Sequence, residues 1–263
     1  MTGHPDDAVL DQIDGVDDAD HRSMTRSSAL GDRTWSDVST TASTRPLVVV
    51  PVGSCEQHGP HLPLDTDTRI AIALCDGLAA VAAGVRSGSW GDLVVAPPLG
   101  ITASGEHAGF AGTLSIGTDA MTEVLVELVR SADWAAGVVF VNGHGGNASA
   151  VHRAVERCTA EGRRVLAWWP RIAGADAHAG HTETSLMLAI APHSVRLDRA
   201  VAGRREPVRE LIDDLRRNGV RSVSPNGVLG DPTEATAAHG HALLALLVDD
   251  LVSTVDAWRP RSP

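Results

Sequence analysis

The apolar run Leu47-Val48-Val49-Val50 stops at Pro51, and the stretch that follows constrains the chain more than any other. A short run of β-branched residues bounded by Pro and Gly reads as a buried strand that runs into a loop. That loop, P-V-G-S-C-E-Q-H-G-P-H-L-P-L-D-T-D from Pro51 to Asp67, is dense in metal-ligating side chains. Glu56 and His58 are two apart, so they point to the same side of an extended segment. Asp65 and Asp67 follow, with His61 between the pairs. Pro60 and Pro63 lack backbone donors and stiffen the turn. An acid, an imidazole and a second acid aimed one way suit a divalent ion of the zinc, iron or manganese type. Each residue alone fits a polar surface loop; the cluster in this order points to a metal.

The rest of the composition narrows the class. A chain of 263 residues, 43% hydrophobic, can bury the core of one α/β domain. No apolar run approaches the ~20 residues of a membrane span, and the acidic N-terminus lacks the basic start and apolar core of a signal peptide. A cytoplasmic enzyme without membrane contact is the expectation. The formal charge of −11 disfavours nucleic acid as partner. The sequence contains no Lys, which excludes a Schiff-base lysine and a Walker-type phosphate loop. Cys55, Cys75 and Cys158 form no C-x-x-C pair and read as free thiols. Cys55 stands next to Glu56 but points away from it, and a metal loop explains the stretch without a thiol nucleophile.

Residues 1–45 differ from the remainder. They hold nine Asp against four Arg, a balance of 4 − 9 = −5, with frequent Ser and Thr and weak apolar periodicity. This reads as an acidic, disordered extension ahead of a domain spanning 46–258, with a short tail at 259–263. Within the domain, a helix from Thr68 to about Ala83 precedes a short strand at Leu93–Ala96. A long glycine-rich loop from Gly100 to Gly117 follows, where Ser104, Glu106 and His107 are candidates to meet a ligand. A helix over 121–134 leads to a third strand at 137–141, which ends in N-G-H-G-G-N, residues 142–147. There His144 sits at the carboxyl end of a buried strand, where ligand sites of open α/β sheets gather. Asn147 is placed to cap the next helix, 148–160. A fourth strand at 164–169 precedes A-D-A-H-A-G-H-T-E-T-S, with His178, His181 and Glu183 close together before a helix at 185–190. A charged helix over 204–217 and a long closing helix over 232–258 complete the chain. The expected buried stripe of the last is Leu243, Leu244, Leu246, Leu247 and Leu251.

Three blocks, the 51–67 loop, N-G-H-G-G-N and H-A-G-H-T-E-T-S, together resemble the creatininase family of metal-dependent amidohydrolases over residues 46–258. The resemblance implies a single-domain, parallel-rich sheet between helices, with a two-metal site at the carboxyl ends of the strands. By position, Glu56, Asp67 and His144 are similar to the ligands of one metal, and His58 and Asp67 to ligands of the other, so that Asp67 bridges. Creatininases proper place a further ligand, a Glu, at the position of Gly146; Glu183 is the replacement carboxylate the sequence offers. They also carry Trp-Asp-x-Glu-His-Gly-Gly where this chain has Gly174-Ala175-Asp176-Ala177-His178-Ala179-Gly180, which argues against creatinine as substrate. His178 remains and is the candidate for proton transfer. L-D-T-D-T-R-I-A, A-S-G-E-H-x-x-F-A-G-T-x-S-I-G-T and G-V-L-G-D-P-T-x-A-T-A-A are similar to a branch of the family acting on a small, ribosomally synthesised precursor peptide. In that branch a radical enzyme has crosslinked the peptide's C-terminal Val-Tyr, and the peptidase releases the modified dipeptide. Family members are commonly homo-oligomers.

The expectation is therefore a hydrolase with two divalent ions, Zn, Fe(II) or Mn, ligated by Glu56, His58, Asp67, His144 and Glu183. His178 handles the proton, and Ser104, Glu106, His107 and His181 are candidates for substrate contact. Metal binding lowers the pKa of water towards ~7, so no serine, cysteine or lysine nucleophile is required. Two rival readings are a small-molecule amidohydrolase acting on a formamide, lactam or creatinine-like ring, and a non-catalytic metal-binding protein.

Overall fold

The computed structural model describes residues 28–84 and 92–259. Four strands, β1 (Leu47–Val52), β2 (Leu93–Val95), β3 (Gly137–Asn142) and β4 (Val165–Trp168), form a parallel sheet in the order β2-β1-β3-β4. From β1 the chain steps to one side to build β2, then crosses over to build β3 on the other. The winding thus reverses between β1 and β3. Their ends are level, with Val52 opposite Asn142. A crevice outside the carboxyl ends at such a reversal is where open α/β sheets hold ligands.

Alternation along the strands fills two apolar layers. Leu47, Val49, Val139 and Val141 face helices α2 (Thr66–Gly84), α5 (His181–Ile190) and α8 (Ala237–Trp258). Val48, Val50, Val52, Val138 and Phe140 face α3 (Gly117–Ser131) and α4 (Ala148–Ala160). β1 and β3 are buried along their whole length, which is why they read as unbroken apolar runs. A smaller apolar cluster joins α6 (Val208–Asn218) to α7 (Val220–Val223) through Leu211, Leu215, Val220 and Val223, with Leu229 and Phe110.

Several expectations need correction. Residues 1–27 lie outside the described residues, but 28–45 are not featureless. Val95 N–H donates to Ser28 O, Ala29 pairs with Val95, and helix α1 (Trp35–Ala42) starts with a capping box between Thr34 and Asp37. Low apolar content hid these local and edge-strand bonds. α5 begins at His181 rather than Ser185, because Asp176 accepts from the N–H groups of His181 and Thr182 and so caps a polar first turn. Leu246 is 56% exposed, and the buried stripe of α8 runs instead through Leu243, Leu247, Leu251 and Val255. That spacing of four keeps one face of the helix on the sheet, where each fully buried side chain contributes roughly 1.5–3 kcal/mol. By length and composition α8 also passes as a membrane span; here its stripe belongs to the core.

Candidate metal centre

Four segments meet at the reversal between β1 and β3. β1 ends at Val52 and the chain turns at Gly53. A Cβ there would lie 2.3 Å from Thr68 Cα, so only glycine lets this turn press against the start of α2. The following residues carry Glu56, Gln57 and His58 inward, all three buried. Asp67 occupies the first turn of α2, where the helix dipole favours a carboxylate. His144 follows β3. The loop after β2 brings Ser104, Glu106 and His107, and the segment ahead of α5 brings His178 and Glu183.

The loops are tied by asparagines rather than capped by them. Asn147 has no capping hydrogen bond. Its Nδ2 donates to Gly53 O (3.0 Å) and Asn142 Oδ1 (3.0 Å), and its Oδ1 accepts from Ala103 N (3.1 Å). Asn142 Nδ2 in turn donates to His144 O at 2.7 Å. These bonds link the turns after β1, β2 and β3. No periodicity announces them, because the partners are 44 or more residues apart except within N-G-H-G-G-N itself.

Asp67 lies between two imidazoles. Its Oδ1 is 3.0 Å from His58 Nε2, and its Oδ2 is 3.1 Å from His144 Nδ1 and accepts from Ser54 Oγ at 2.9 Å. On one side of it, Glu56 Oε2 is 3.0 Å and Glu106 Oε1 is 3.3 Å from His144 Nε2. On the other, Glu183 Oε2 lies 3.9 Å from His58 Nε2 and 4.0 Å from His178 Nδ1. The ligand-type atoms fall into overlapping groups, among them Glu56–His58–Asp67, Glu56–Glu106–His144 and His58–His178–Glu183. Two donors bound to one ion at about 2.0–2.2 Å lie about 3 Å apart, so the closest of these separations suit a shared cation. Glu56 adds an independent sign. It is fully buried, and among the described residues its oxygens meet only imidazole nitrogens, in contacts that are not well-formed hydrogen bonds. A buried carboxylate left so is costly unless a charge compensates it. The mixed nitrogen and oxygen donors fit zinc, manganese or iron(II).

Hydrogen-bond counting assigns two tautomers. Gln57 Nε2 has two hydrogens and lies near three groups: His107 Nδ1 (2.8 Å), Gly227 O (3.1 Å) and His178 Nε2 (3.0 Å). His178 Nε2 also lies 2.8 Å from Gln57 O, which can only accept. His178 therefore donates from Nε2, and the Gln57 amide serves His107 and Gly227. This leaves Nδ1 of His178 as a bare lone pair facing Glu56 and Glu183, and Nε2–H of His107 facing Glu56 Oε1 at 3.3 Å.

The metal-free site is strongly polarised. Burial works against a charged His58, but Asp67, Glu183 and Glu56 outweigh it and push its pKa up to about 10. Burial lifts Glu183 to about 7, with His58 opposing. Burial and the neighbouring His58 and His107 hold His178 well below its usual range, so it is neutral. Burial, then the charge of His58, lowers His61 to about 4.

Other expected residues fall elsewhere. His61 is buried and bonds Thr184 Oγ1 at 2.9 Å. Asp65 pairs with Arg69 at 2.8 Å. His181 turns to His239 at the start of α8 (2.8 Å) and joins none of the ligand groups. Ser104 is buried beside the site with its hydroxyl unpartnered. Gln57, Ser54 and Asn142 were missed by the sequence; the polar residue between Glu56 and His58 was the one available hint.

An α/β sheet with buried carboxylates and imidazoles converging at its switch point defines a metal-dependent hydrolase. The chain belongs to the creatininase family, whose model, described as creatinine amidohydrolase, matches residues 31–255. It is 51% identical over 234 residues to the mycofactocin precursor peptide peptidase of Mycobacterium ulcerans (strain Agy99), covering 88% of this chain and 93% of that one. It is 49% identical over 247 residues to the protein of the same name from Mycobacterium tuberculosis (strain CDC 1551 / Oshkosh), covering 92% and 96%. Among solved structures, a glutamate-to-glutamine creatininase variant described as the Zn–Zn type superposes with a TM-score of 0.72 at 22% identity, covering 88% of this chain and 98% of that one.

Proposed function

We propose that this hydrolase is a dinuclear metallopeptidase that releases the modified C-terminal Val-Tyr dipeptide from the mycofactocin precursor peptide. The observation that carries the metal half of this reading is Glu56, a fully buried carboxylate faced by the imidazoles of His107 and His144 and set among the ligand-type atoms of His58 and Asp67. The substrate half rests on likeness at about half identity over most of the chain to proteins named for that peptide. Glu56, Asp67 and His144 would hold one ion, and His58, Asp67 and Glu183 the other. Bound divalent ions supply Lewis-acid polarisation of the scissile carbonyl and an acidified water.

The protein's own residues do the rest. Asp67 faces His58 with Oδ1 and His144 with Oδ2, so this one carboxylate could serve both ions. Burial opposes a charged Asp67, but His58 and His144 beside it outweigh burial and hold that carboxylate ionised, and Ser54 Oγ donates to it. His178, with Nε2–H committed to Gln57 O, offers Nδ1 as proton acceptor towards the Glu56–Glu183 gap. It takes the proton of the attacking water there and returns it to the leaving nitrogen. The tryptophan and acids that precede the E-T-S block of creatininases have no counterpart at Gly174, Ala175 and Ala177, which argues against creatinine as the substrate. Oligomerisation and a cytoplasmic location are part of the same proposal.

The test is incubation of the metal-loaded protein with crosslinked and uncrosslinked precursor peptide, followed by mass spectrometry. Release of the C-terminal dipeptide from the crosslinked form supports the reading. Turnover of formamides or lactams with both peptides intact would replace it with the small-molecule alternative, and absence of any metal-dependent turnover with the non-catalytic one.

A further inference from the structure

A side chain at position 146 and the Glu106 carboxylate would compete for the same space. A Cβ built on Gly146 would lie 2.0 Å from Glu106 Oε1, 2.3 Å from His144 Nε2 and 2.8 Å from Ala103 O. The space beside the His144 imidazole that a side chain at 146 would enter is thus filled by a carboxylate from another loop. Glu106 stands on the short turn Gly105–His107 after β2, and its Oε1 is 3.3 Å from His144 Nε2. The same imidazole nitrogen is 3.0 Å from Glu56 Oε2. Oxygens of Glu56 and Glu106 and a nitrogen of His144 all lie within 4.8 Å of one another.

From this geometry we infer that Glu106 is a protein ligand of the ion held by Glu56 and His144, a carboxylate supplied from the β2 loop where residue 146 has no side chain. This rests on the metallohydrolase reading above and extends its ligand set. It also separates the two carboxylates that lie outside the 51–67 loop. Glu106 serves the His144 side, and Glu183, 3.9 Å from His58, serves the other.

Charge supports the assignment. Glu56, Asp67, Glu106 and Glu183 converge, and among the described residues all their ion-pair partners are histidines. Among the described residues no arginine pairs with them. Four carboxylates around two dications give a neutral set. The placement also couples the first ion to the β2 loop, so that this loop is ordered by the same ion that His144 binds.

The experiment compares wild type, Glu106→Gln and Glu106→Asp as full chains. Each is stripped of metal and titrated with Mn²⁺ alone, with stoichiometry read by calorimetry and elemental analysis. The visible absorption of the cobalt(II) forms gives a second readout of coordination. Wild type is expected to take up two ions per chain. Glu106→Gln should lose one of them or bind it at least tenfold more weakly, with an altered cobalt spectrum and an unchanged melting temperature before metal is added. Glu106→Asp, which keeps a shorter carboxylate, should fall between them. Two ions at wild-type affinity in Glu106→Gln, with the wild-type cobalt spectrum, would overturn the inference even if activity fell, since Glu106 would then act on substrate alone. A wild type that takes up no ion would overturn the underlying metal reading instead.

Discussion

His178 is the residue whose surroundings say most about its work. Its Nε2 is spent on Gln57 O, its ring sits 4.3 Å from His58 and 4.6 Å from His107, and burial beside them keeps it neutral. A neutral imidazole with one free nitrogen is placed to take a proton and needs no ion for its fold. His178→Ala should therefore keep its metal content while kcat falls by ~10²–10⁴, with a smaller change in KM. Parallel elemental analysis and steady-state kinetics check this; loss of one ion would make His178 a ligand of the His58–Glu183 side. His58 gives a pH prediction. Its folded pKa of about 10 exceeds the unfolded 6.5, so in the metal-free protein its stabilisation is complete below 6.5 and is lost as pH rises through 10. Glu183, raised to about 7, is half titrated where this range begins and gives up the rest of its proton early in it, which lowers stability in the same direction. From pH 7 to 9 the metal-free protein should lose stability, on the order of a few kcal/mol at most. Metal affinity should rise over the same range, because the ion must displace the His58 proton. Denaturant melts and Mn²⁺ titrations of wild type against His58→Gln measure both, and the variant should show flatter dependences. Glu56, His58, Asp67 and His144 were legible because each closes a buried run or opens a helix. Gln57 and Ser54 were not, because what they do is decided by partners that only the fold brings near.

Among the elements, the two central strands were the easiest to read and the helix starts the hardest. β1 and β3 are apolar without interruption because both faces are covered. α5 opens on His181-Thr182-Glu183, polar residues that carry no apolar periodicity, and it starts there because Asp176 caps it from outside. Glu183 also accepts from Ala179 N–H, so one carboxylate secures the helix start and faces His58. At the N-terminal side, Ser28 and Ala29 pair with Val95, the last residue of the edge strand β2. Removal of residues 1–27 is expected to leave kcat and melting temperature unchanged. Removal of 1–42 should lower the melting temperature by a few degrees, about what loss of ~1 kcal/mol costs a domain of this size, while preserving the rate. Scanning calorimetry and peptide turnover of the two truncations decide it. A large fall in kcat for either would place part of the segment at the site.

At the scale of the molecule, the site is where separate parts of the chain are joined. The turn after β1, the first turn of α2, the turn after β3, the β2 loop and the start of α5 each contribute one or two ligand-type side chains, and otherwise meet mainly through backbone bonds and asparagines. The sheet does not depend on them: its two apolar layers lie along the strands, away from the carboxyl ends. An α/β domain was legible from apolar strand runs separated by helical periodicity, whereas the parallel-rich sheet was given by the family resemblance. The meeting of the loops after β1 and β3 was foreshadowed by their place at the carboxyl ends of buried strands, but the pairing of residues from 56 to 183 was not, because they share no local pattern. Metal should then act as a clamp on one edge of an independently stable body. Ligands that bind only the native state stabilise by RT ln(1 + [L]/Kd), about 4 kcal/mol for an ion present at a thousandfold excess over its Kd. Chelation is thus expected to lower the melting temperature by several degrees without unfolding the protein. Hydrogen exchange should speed up at 53–67, 100–110, 143–147 and 176–183, while amides in β1 and β3 stay protected. Exchange that quickens equally in the strands would mean that the ions hold the whole domain together. A melting temperature and exchange pattern indifferent to chelation would mean that these carboxylates and imidazoles satisfy one another without a metal.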